Sequence, residues 1–245
     1  MVTNLRFLTL VTNLRFLTGS TDGGAILSNK KIIGLFGVGQ TDICIYLASI
    51  LQNLKYSVLC IDNSFEQAMH FCVPRPKERI STITHKKVDY EWLVHVNDWS
   101  QKDYDFIIVD LGVWPKEDQL LACDEIYLVI DCAIAQVERY RELMKHMKLP
   151  MNVIVRDICT DVVSGNQILD MLKEENCFVV DEYKLPFSED DLSGRLAMQY
   201  FGYRGCGHLS PALDKMLVCM IRNLAGCENS CAWKSYRRAK KGVCA

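Results

Sequence analysis

Residues 30–64 read KKIIGLFGVGQTDICIYLASILQNLKYSVLCIDNS and predict, in order, a strand, a glycine loop, a helix and a second strand. Residues 32–36 and 58–61 are short apolar runs of the kind that buried parallel strands need, and residues 41–54 carry apolar side chains at helical spacing. A strand that enters a helix through such a loop points backbone N–H groups and a helix N-terminus at one spot. The stretch therefore predicts an anion site at the start of the helix.

The loop fits the phosphate-binding pattern G-x-x-x-x-G-K-[ST] at every position except the lysine. Gly34, Gly39 and Thr41 match, while Gln40 stands where the lysine is expected. An ordinary turn between a strand and a helix of a Rossmann-like sheet explains the same residues, so at this point both interpretations remain open.

Apolar and amphipathic segments alternate along the rest of the chain. Further strands are predicted at residues 104–110, 125–130, 151–155 and 178–180. Further helices are predicted at residues 136–147, 167–173 and 211–224. Residues 63–100 are expected to contain short helices and loops. The alternation predicts an α/β domain in which helices cover both faces of a mostly parallel sheet.

The composition is typical of a globular protein of about one domain. The 245 residues are 49% hydrophobic and 24% charged, and their net charge of -2 predicts no specific nucleic-acid partner. No run reaches the ~18 apolar residues of a membrane span. The twelve cysteines are interpreted as free thiols in a reducing compartment, so the protein is expected in the cytoplasm.

Two segments flank the predicted domain of residues 30–226. The string VTNLRFLT occurs twice near the start of the chain, and two copies do not make a repeat architecture, so residues 1–29 are interpreted as a lead with a local duplication. Residues 227–245 are interpreted as a basic tail that contains cysteines.

This tail carries five cations and no acid in its last twelve residues. Trp233 and Tyr236 flank the cluster, and such a segment is able to rest on an anionic membrane surface, each cation contributing ~1 kcal/mol. A solvated tail is the alternative. The cations are Lys234, Arg237, Arg238, Lys240 and Lys241.

Taken as a set, these segments resemble the MinD/ParA family of P-loop ATPases over residues 30–224. The resemblance rests on the glycine loop and on four strings: VLCIDNS at 58–64, YDFIIVDLG at 104–112, DEIYLVI at 124–130 and LPFSEDDL at 185–192. Within the family, their order and spacing are most similar to the divergent branch of the TadZ/CpaE pilus-assembly proteins.

The resemblance implies a nucleotide site with bound Mg²⁺. Thr41 of the deviant Walker A loop and Asp110, the Walker B acid, would hold the metal. Asp62 matches the first acid of the family's Asp-x-Asp, and Pro186 matches the proline near the adenine. The implied binding residues are Gly37, Val38, Gly39, Gln40, Thr41, Asp42, Asp62, Asp110 and Pro186.

Three departures from the family's motifs fall within this implied site. Gln40 replaces the P-loop lysine, Leu35 replaces the signature lysine, and Ser64 replaces the second acid of Asp-x-Asp. A hydrogen bond from a neutral amide is worth ~0.5–1.5 kcal/mol net, against ~1.5–3 kcal/mol for a charged partner. The sequence offers no nearby cation in their place. The resemblance therefore implies weak binding of ATP or ADP and loss of hydrolysis.

The resulting hypothesis is a degenerate MinD/ParA-like protein that positions or scaffolds protein partners, for instance a secretion or pilus apparatus, with a homodimer as the expected assembly. One alternative is an active ATPase that uses unconventional residues. Another is an interaction module that binds no nucleotide.

Overall fold

The computed structural model describes residues 30–74, 82–147, 149–159, 162–173 and 178–242. The predictions for residues 1–29, including the duplicated segment, lie outside these residues. Within them, eight strands form one sheet: β1 (Lys31–Gly37), β2 (Val58–Asp62), β3 (Thr82–His85), β4 (Val88–Trp92), β5 (Phe106–Asp110), β6 (Glu125–Ile130), β7 (Met151–Ile158) and β8 (Val179–Pro186).

The strand order across the sheet is β3-β4-β2-β5-β1-β6-β7-β8. Every neighbouring pair is parallel except β3 and β4. The carboxyl ends of β1, β2, β5, β6 and β7 therefore lie along one edge, where ligands bind in open α/β sheets. The mostly parallel sheet predicted from the sequence is confirmed.

The described residues also form nine helices: α1 (Thr41–Asn53), α2 (Met69–Cys72), α3 (Val96–Trp99), α4 (Glu117–Leu121), α5 (Ile134–His146), α6 (Gly165–Lys173), α7 (Glu189–Phe201), α8 (Pro211–Ala225) and α9 (Asn229–Lys240). Buried side chains of α1, α2, α7, α8 and α9 share one apolar core, and those of α3 to α6 share a second. Helices thus cover both faces of the sheet, as predicted.

Alternate side chains of the central strand β1 enter the two cores. Ile33 and Leu35 belong to the core that contains α1, whereas Ile32 and Phe36 belong to the other. Successive side chains of a strand point to opposite faces, so an apolar run without interruption is what a strand covered on both sides requires.

Residues 82–92 form a β-hairpin, which the prediction of short helices and loops for residues 63–100 did not include; α2 and α3 are two short helices of that region. Lys86 and Lys87 occupy the turn of the hairpin with φ of 51° and 63°. Tight hairpin turns need residues with positive φ, and in a sequence they are usually recognised by asparagine or glycine. Two lysines give no such signal. The alternation of Val88, Tyr90 and Trp92 was the available signal for β4.

The segment predicted as a basic tail contains the helix α9, which packs against α1 and α8. Ala232, Tyr236 and Ala239 are buried there, and the Tyr236 hydroxyl donates a hydrogen bond to Asp214 of α8. Because α8 and α9 cover α1, all thirteen α1 residues are buried. Tyr236 therefore faces the protein core and is not available to a membrane surface in this fold. None of the described helices is long and apolar enough to cross a bilayer.

Candidate functional site

The loop between β1 and α1 is held on both sides by backbone hydrogen bonds. The Gly37 N–H donates to Gly112 O (2.9 Å), and the Val38 N–H donates to Val129 O (2.8 Å). Gly37 has a φ of 122°, and a Cβ at this position would lie 1.9 Å from Val129 O. Only glycine permits so close an approach to β6, which explains the residue type at the start of the loop.

Helix α1 begins without a side-chain cap. Within the described part of the chain, the backbone N–H groups of Gly39, Gln40 and Thr41 have no hydrogen-bond acceptor. Such orphan donors, together with the positive end of the helix dipole, favour a bound anion. The structure thus brings together the loop residues predicted from the sequence in an arrangement suited to phosphate.

The side chain of Asp110 accepts hydrogen bonds from both residues at the loop's end. Gln40 Nε2 and Thr41 Oγ1 each lie 2.7 Å from a carboxylate oxygen, and the Gly112 N–H donates from 3.0 Å. Burial, and secondarily the charge of Asp62, raise the pKa of Asp110 to about 6 despite these donors. The Gln40 amide is therefore engaged with the acid at the end of β5.

Asp62 stands beside Asp110, because the two residues are register partners at the ends of β2 and β5. Its carboxylate accepts from the Ser64 N–H and hydroxyl, at 3.0 and 2.6 Å, and from the Met69 N–H at 2.9 Å. Burial raises the pKa of Asp62 above its ordinary value. Ser64 thus fixes the turn after β2.

A buried arginine reaches the loop from β7. Arg156 is 2% exposed; its Nη1 donates to Gly39 O and, at 2.9 Å, to Asp42 Oδ1, while Nη2 donates to Asp42 Oδ2 at 3.2 Å. This two-point ion pair joins the first turn of α1 to β7. Burial lowers the pKa of Arg156, but the carboxylates of Asp42, Asp157 and Asp191 together outweigh burial, and the pKa lies above its ordinary value.

A second arginine comes from α7. Arg195 Nη2 donates to Asp157 Oδ2 at 3.1 Å, and its Nη1 lies 2.9 Å from the point where a Cβ of Gly39 would be. The sequence offers no cation near the loop in place of the lysine, and the two arginines that the fold brings to the loop come from distant segments. One signal was present in the sequence: Arg156 interrupts the apolar strand MNVIVRDI.

Two of the predicted positions stand apart from the loop. Leu35 is fully buried in the core under α1, so this position cannot present a cation to a partner subunit. Pro186 ends β8 beside Ile158 of β7 and is exposed. It lies on the same edge as the loop, but β6 and β7 separate its strand from β1.

The residues present fit a magnesium ion only in part. Thr41 Oγ1 and the Asp110 carboxylate are adjacent oxygen ligands of the type that Mg²⁺ prefers. Over the ranges that the structure covers, no group of three or more His, Cys, Asp or Glu side chains is placed to hold a metal ion. A bound Mg²⁺ would therefore need phosphate oxygens and water as its other ligands.

A cleft of about 420 Å³ lies beside the site, between the loops that follow β2, β4 and β5. Its rim carries three exposed apolar side chains, those of Phe65, Leu93 and Trp114. Phe65 is 97% exposed, and the Arg139 guanidinium stacks 4.8 Å from the centre of the Trp114 ring. Aromatic side chains exposed beside a cleft are typical of protein interaction sites.

No protein-family model and no curated protein sequence matches the chain. Among solved structures, the chain is similar to the MinD cell division protein of Aquifex aeolicus, with a TM-score of 0.59 and 17% identity over 81% of this chain and 98% of that one. It is similar to the MinC:MinD cell division complex of the same organism, with a TM-score of 0.56 and 17% identity over 81% and 97%.

A plasmid partition protein of Borrelia burgdorferi B31, bound to AMPPNP, is also similar, with a TM-score of 0.51 and 16% identity over 78% of this chain and 98% of that one. At this level of identity the likeness concerns the fold. The chain has a P-loop NTPase-like α/β fold, and within that class the fold is of the MinD/ParA type. Both parts of the fold prediction are confirmed.

Proposed function

We propose that this protein binds a nucleoside di- or triphosphate weakly at residues 37–42, does not hydrolyse it, and acts as a MinD/ParA-like positioning or scaffold factor. The observation that carries the proposal is the bond between Gln40 and Asp110. This bond joins Gln40, which stands at the position of the P-loop lysine, to Asp110, the acid that would otherwise bind the metal ion.

Binding is supported by the loop itself. The orphan N–H groups at the start of α1 and the tight turn at Gly37 provide an anion cradle that needs no side-chain charge. The Borrelia burgdorferi protein of similar fold holds AMPPNP. We assign Gly37, Val38, Gly39, Gln40, Thr41, Asp42, Asp62, Asp110 and Pro186 to this site, with Thr41 and Asp110 as the candidate Mg²⁺ ligands.

Loss of hydrolysis is supported by the residues at positions 35, 40 and 64. Phosphoryl transfer depends on positioned cations that neutralise the charge developing on the phosphate oxygens. Position 40 holds a neutral amide, and position 35 is buried in the core. The acid expected two residues after Asp62 is a serine that is engaged with Asp62.

The scaffold role is supported by the apolar rim of the neighbouring cleft, which offers a surface to a protein partner. The MinD of Aquifex aeolicus forms a complex with MinC, so this fold is able to carry such a partner. A homodimer and a role like that of the TadZ/CpaE branch in pilus assembly belong to the same proposal. So does attachment to an anionic membrane through the exposed cations of α9.

Calorimetry and phosphate release test this function with three proteins: the wild type, Gln40→Lys, and the control Gln101→Lys, which adds the same charge at an exposed position of the other face. We expect weak Mg·ATP binding by the wild type and no turnover by any of them. Gln40→Lys should bind about tenfold more tightly, since a charged hydrogen bond gains ~1–2 kcal/mol over a neutral one. The control should match the wild type.

Each alternative gives a different result in the same assays. Robust phosphate release by the wild type would make the protein an active ATPase with unconventional residues. Absence of ATP and ADP binding at millimolar concentration would make it an interaction module without nucleotide.

A further inference from the structure

A cavity of about 350 Å³ lies between α7 and the loop of residues 202–207. Its volume falls within the ~300–1,000 Å³ that small-molecule pockets occupy. One wall is a face of α7, where the lining residues recur at helical spacing: Gly194, Ala197, Met198 and Phe201. None of residues 37–42 lines the cavity, so it is separate from the glycine loop.

The loop that forms the opposite wall is held by two neighbouring segments. The Tyr203 N–H donates to Cys72 O at 2.6 Å, and the Cys206 N–H donates to Ala239 O at 3.3 Å. The side chains of Tyr203 and Cys206 are themselves buried. A ligand that enters the cavity therefore meets a wall that is already formed, and binding does not carry the cost of ordering this loop.

The hydroxyl of Tyr46 is an unused hydrogen-bonding group beside this cavity. Tyr46 is only 1% exposed, yet no described residue donates to its hydroxyl or accepts from it. Buried tyrosine hydroxyls usually have a partner. Tyr46 lines the cavity, so a ligand bound there is able to supply the partner that the protein does not.

Gly194 leaves open space next to this hydroxyl. A Cβ at position 194 would lie 3.6 Å from Tyr46 Oη and 3.5 Å from Leu209 Cδ2, which are ordinary contacts. Alanine would therefore fit, and inside a helix it is more stable than glycine by roughly 0.5–1 kcal/mol. Packing does not explain the glycine, whereas access to the Tyr46 hydroxyl does.

The charges around Tyr46 favour a neutral partner for its hydroxyl. Burial raises the pKa of Tyr46, and the carboxylates of Asp42 and Asp191 raise it further, against the opposite effect of Arg156. The hydroxyl therefore keeps its proton and is able to donate it. The same carboxylates oppose an anion at this place, so a neutral oxygen is the acceptor that fits.

We propose that this cavity binds a small aromatic molecule whose neutral carbonyl oxygen accepts a hydrogen bond from the Tyr46 hydroxyl. The aromatic ring lies among the apolar lining residues, which include Met198, Phe201 and Cys206. Sulfur atoms and aromatic side chains both make favourable contacts with an aromatic ring. This site does not depend on nucleotide binding at the glycine loop.

Acetophenone and α-methylstyrene are matched probes of this site, because they have nearly the same shape and a methylene group replaces the carbonyl oxygen in the second. NMR titration of the full chain gives their affinities for wild type and for Tyr46→Phe, which removes only the hydroxyl. Thermal melting verifies that each variant is folded. Tyr46→Phe should be at least as stable as the wild type, since it removes a buried polar group that has no partner.

We expect Tyr46→Phe to weaken acetophenone binding by about 3- to 10-fold, the effect of losing one neutral hydrogen bond. The affinity for α-methylstyrene should stay the same. A purely structural role of Tyr46 would change the affinities for both probes alike. Equal affinity of wild type and Tyr46→Phe for acetophenone would overturn the inference.

A second variant, Ala197→Trp, tests where the probe binds. Ala197 lines the cavity but is exposed, so an indole at this position fills the cavity without entering the core. Gln199→Trp places the same side chain at an exposed position of α7 that does not line the cavity. We expect Ala197→Trp to abolish acetophenone binding and Gln199→Trp to bind as the wild type does. Undiminished binding by Ala197→Trp, or no binding by the wild type up to the solubility of acetophenone, would refute the site.

Discussion

Replacing Asp110 by asparagine should stabilise the protein, and increasingly so as pH rises from 4.5 to 7.5. Burial raises the pKa of this carboxyl from 3.8 to about 6 in the folded chain. The folded state therefore holds a proton that the unfolded state has already released, and the unfolding free energy falls with pH across this interval. The full difference of about two pKa units corresponds to ~3 kcal/mol.

Asparagine fits the site without the charge. Its Oδ1 is able to accept from Gln40 and Gly112, and its Nδ2 is able to donate to the Thr41 hydroxyl where the second oxygen stood. Loss of the Asp110 charge also removes its electrostatic repulsion of Asp62. Burial raises the pKa of Asp62 as well. The variant should therefore keep the hydrogen bonds and lose the pH dependence of this group.

The assay is urea unfolding of the metal-free protein in EDTA at a series of pH values, for wild type, Asp110→Asn and the exposed control Asp170→Asn. Between pH 4.5 and 7.5, the unfolding free energy of Asp110→Asn should rise by about 2 kcal/mol relative to wild type. The control difference should be flat. A constant or falling difference for Asp110→Asn would show that Asp110 is ionised in the folded protein at low pH and that burial does not govern it.

Three further outcomes are expected. Gly37→Ala should destabilise the fold by several kcal/mol and abolish binding at the loop, whereas Gly207→Ala, which also has positive φ but open space around it, should cost about 1 kcal/mol; urea unfolding compares them. Arg156→Met should cost about 3–5 kcal/mol because it leaves Asp42 buried and unpaired, and the double change with Asp42→Leu should recover part of that loss; equal costs would deny the buried ion pair any role. Arg238→Glu should reduce the affinity for vesicles rich in anionic lipid by about 30-fold, as measured by sedimentation, since it changes the local charge by two at ~1 kcal/mol each, and unchanged sedimentation would exclude α9 as the attachment surface.

The elements around the loop were predictable because their signals are local. Strand β1, the glycine turn and α1 follow one another within about 25 residues. The spacing of apolar residues and the presence of glycine are enough to find each of them in the sequence. Helix α7 also had a local signal that was missed. Ser188 caps it by accepting from the Asp191 N–H, and acids fill its first turn.

The cations of the site could not be predicted in this way. Arg156 reaches Gly39 across 117 residues of sequence, and only the neighbouring positions of β6 and β7 in the sheet bring them together. Comparison with the family's motif likewise aligns Leu35 with a lysine. Side chains alternate along β1, however, so the Leu35 side chain points into the core. A local sequence pattern shows neither which face of the strand a side chain occupies nor which residues of distant segments lie next to it in the folded protein.

The burial of α1 under α8 and α9 also constrains how the chain is able to fold during synthesis. The helix that begins at the glycine loop is among the first described elements to leave the ribosome, but the helix that covers it ends at residue 240. Until that segment emerges, apolar side chains of α1 stay exposed to water and to other chains. Contacts of such long sequence separation slow folding, so chains truncated before α9 should depend on chaperones and aggregate, even though their glycine loop is complete.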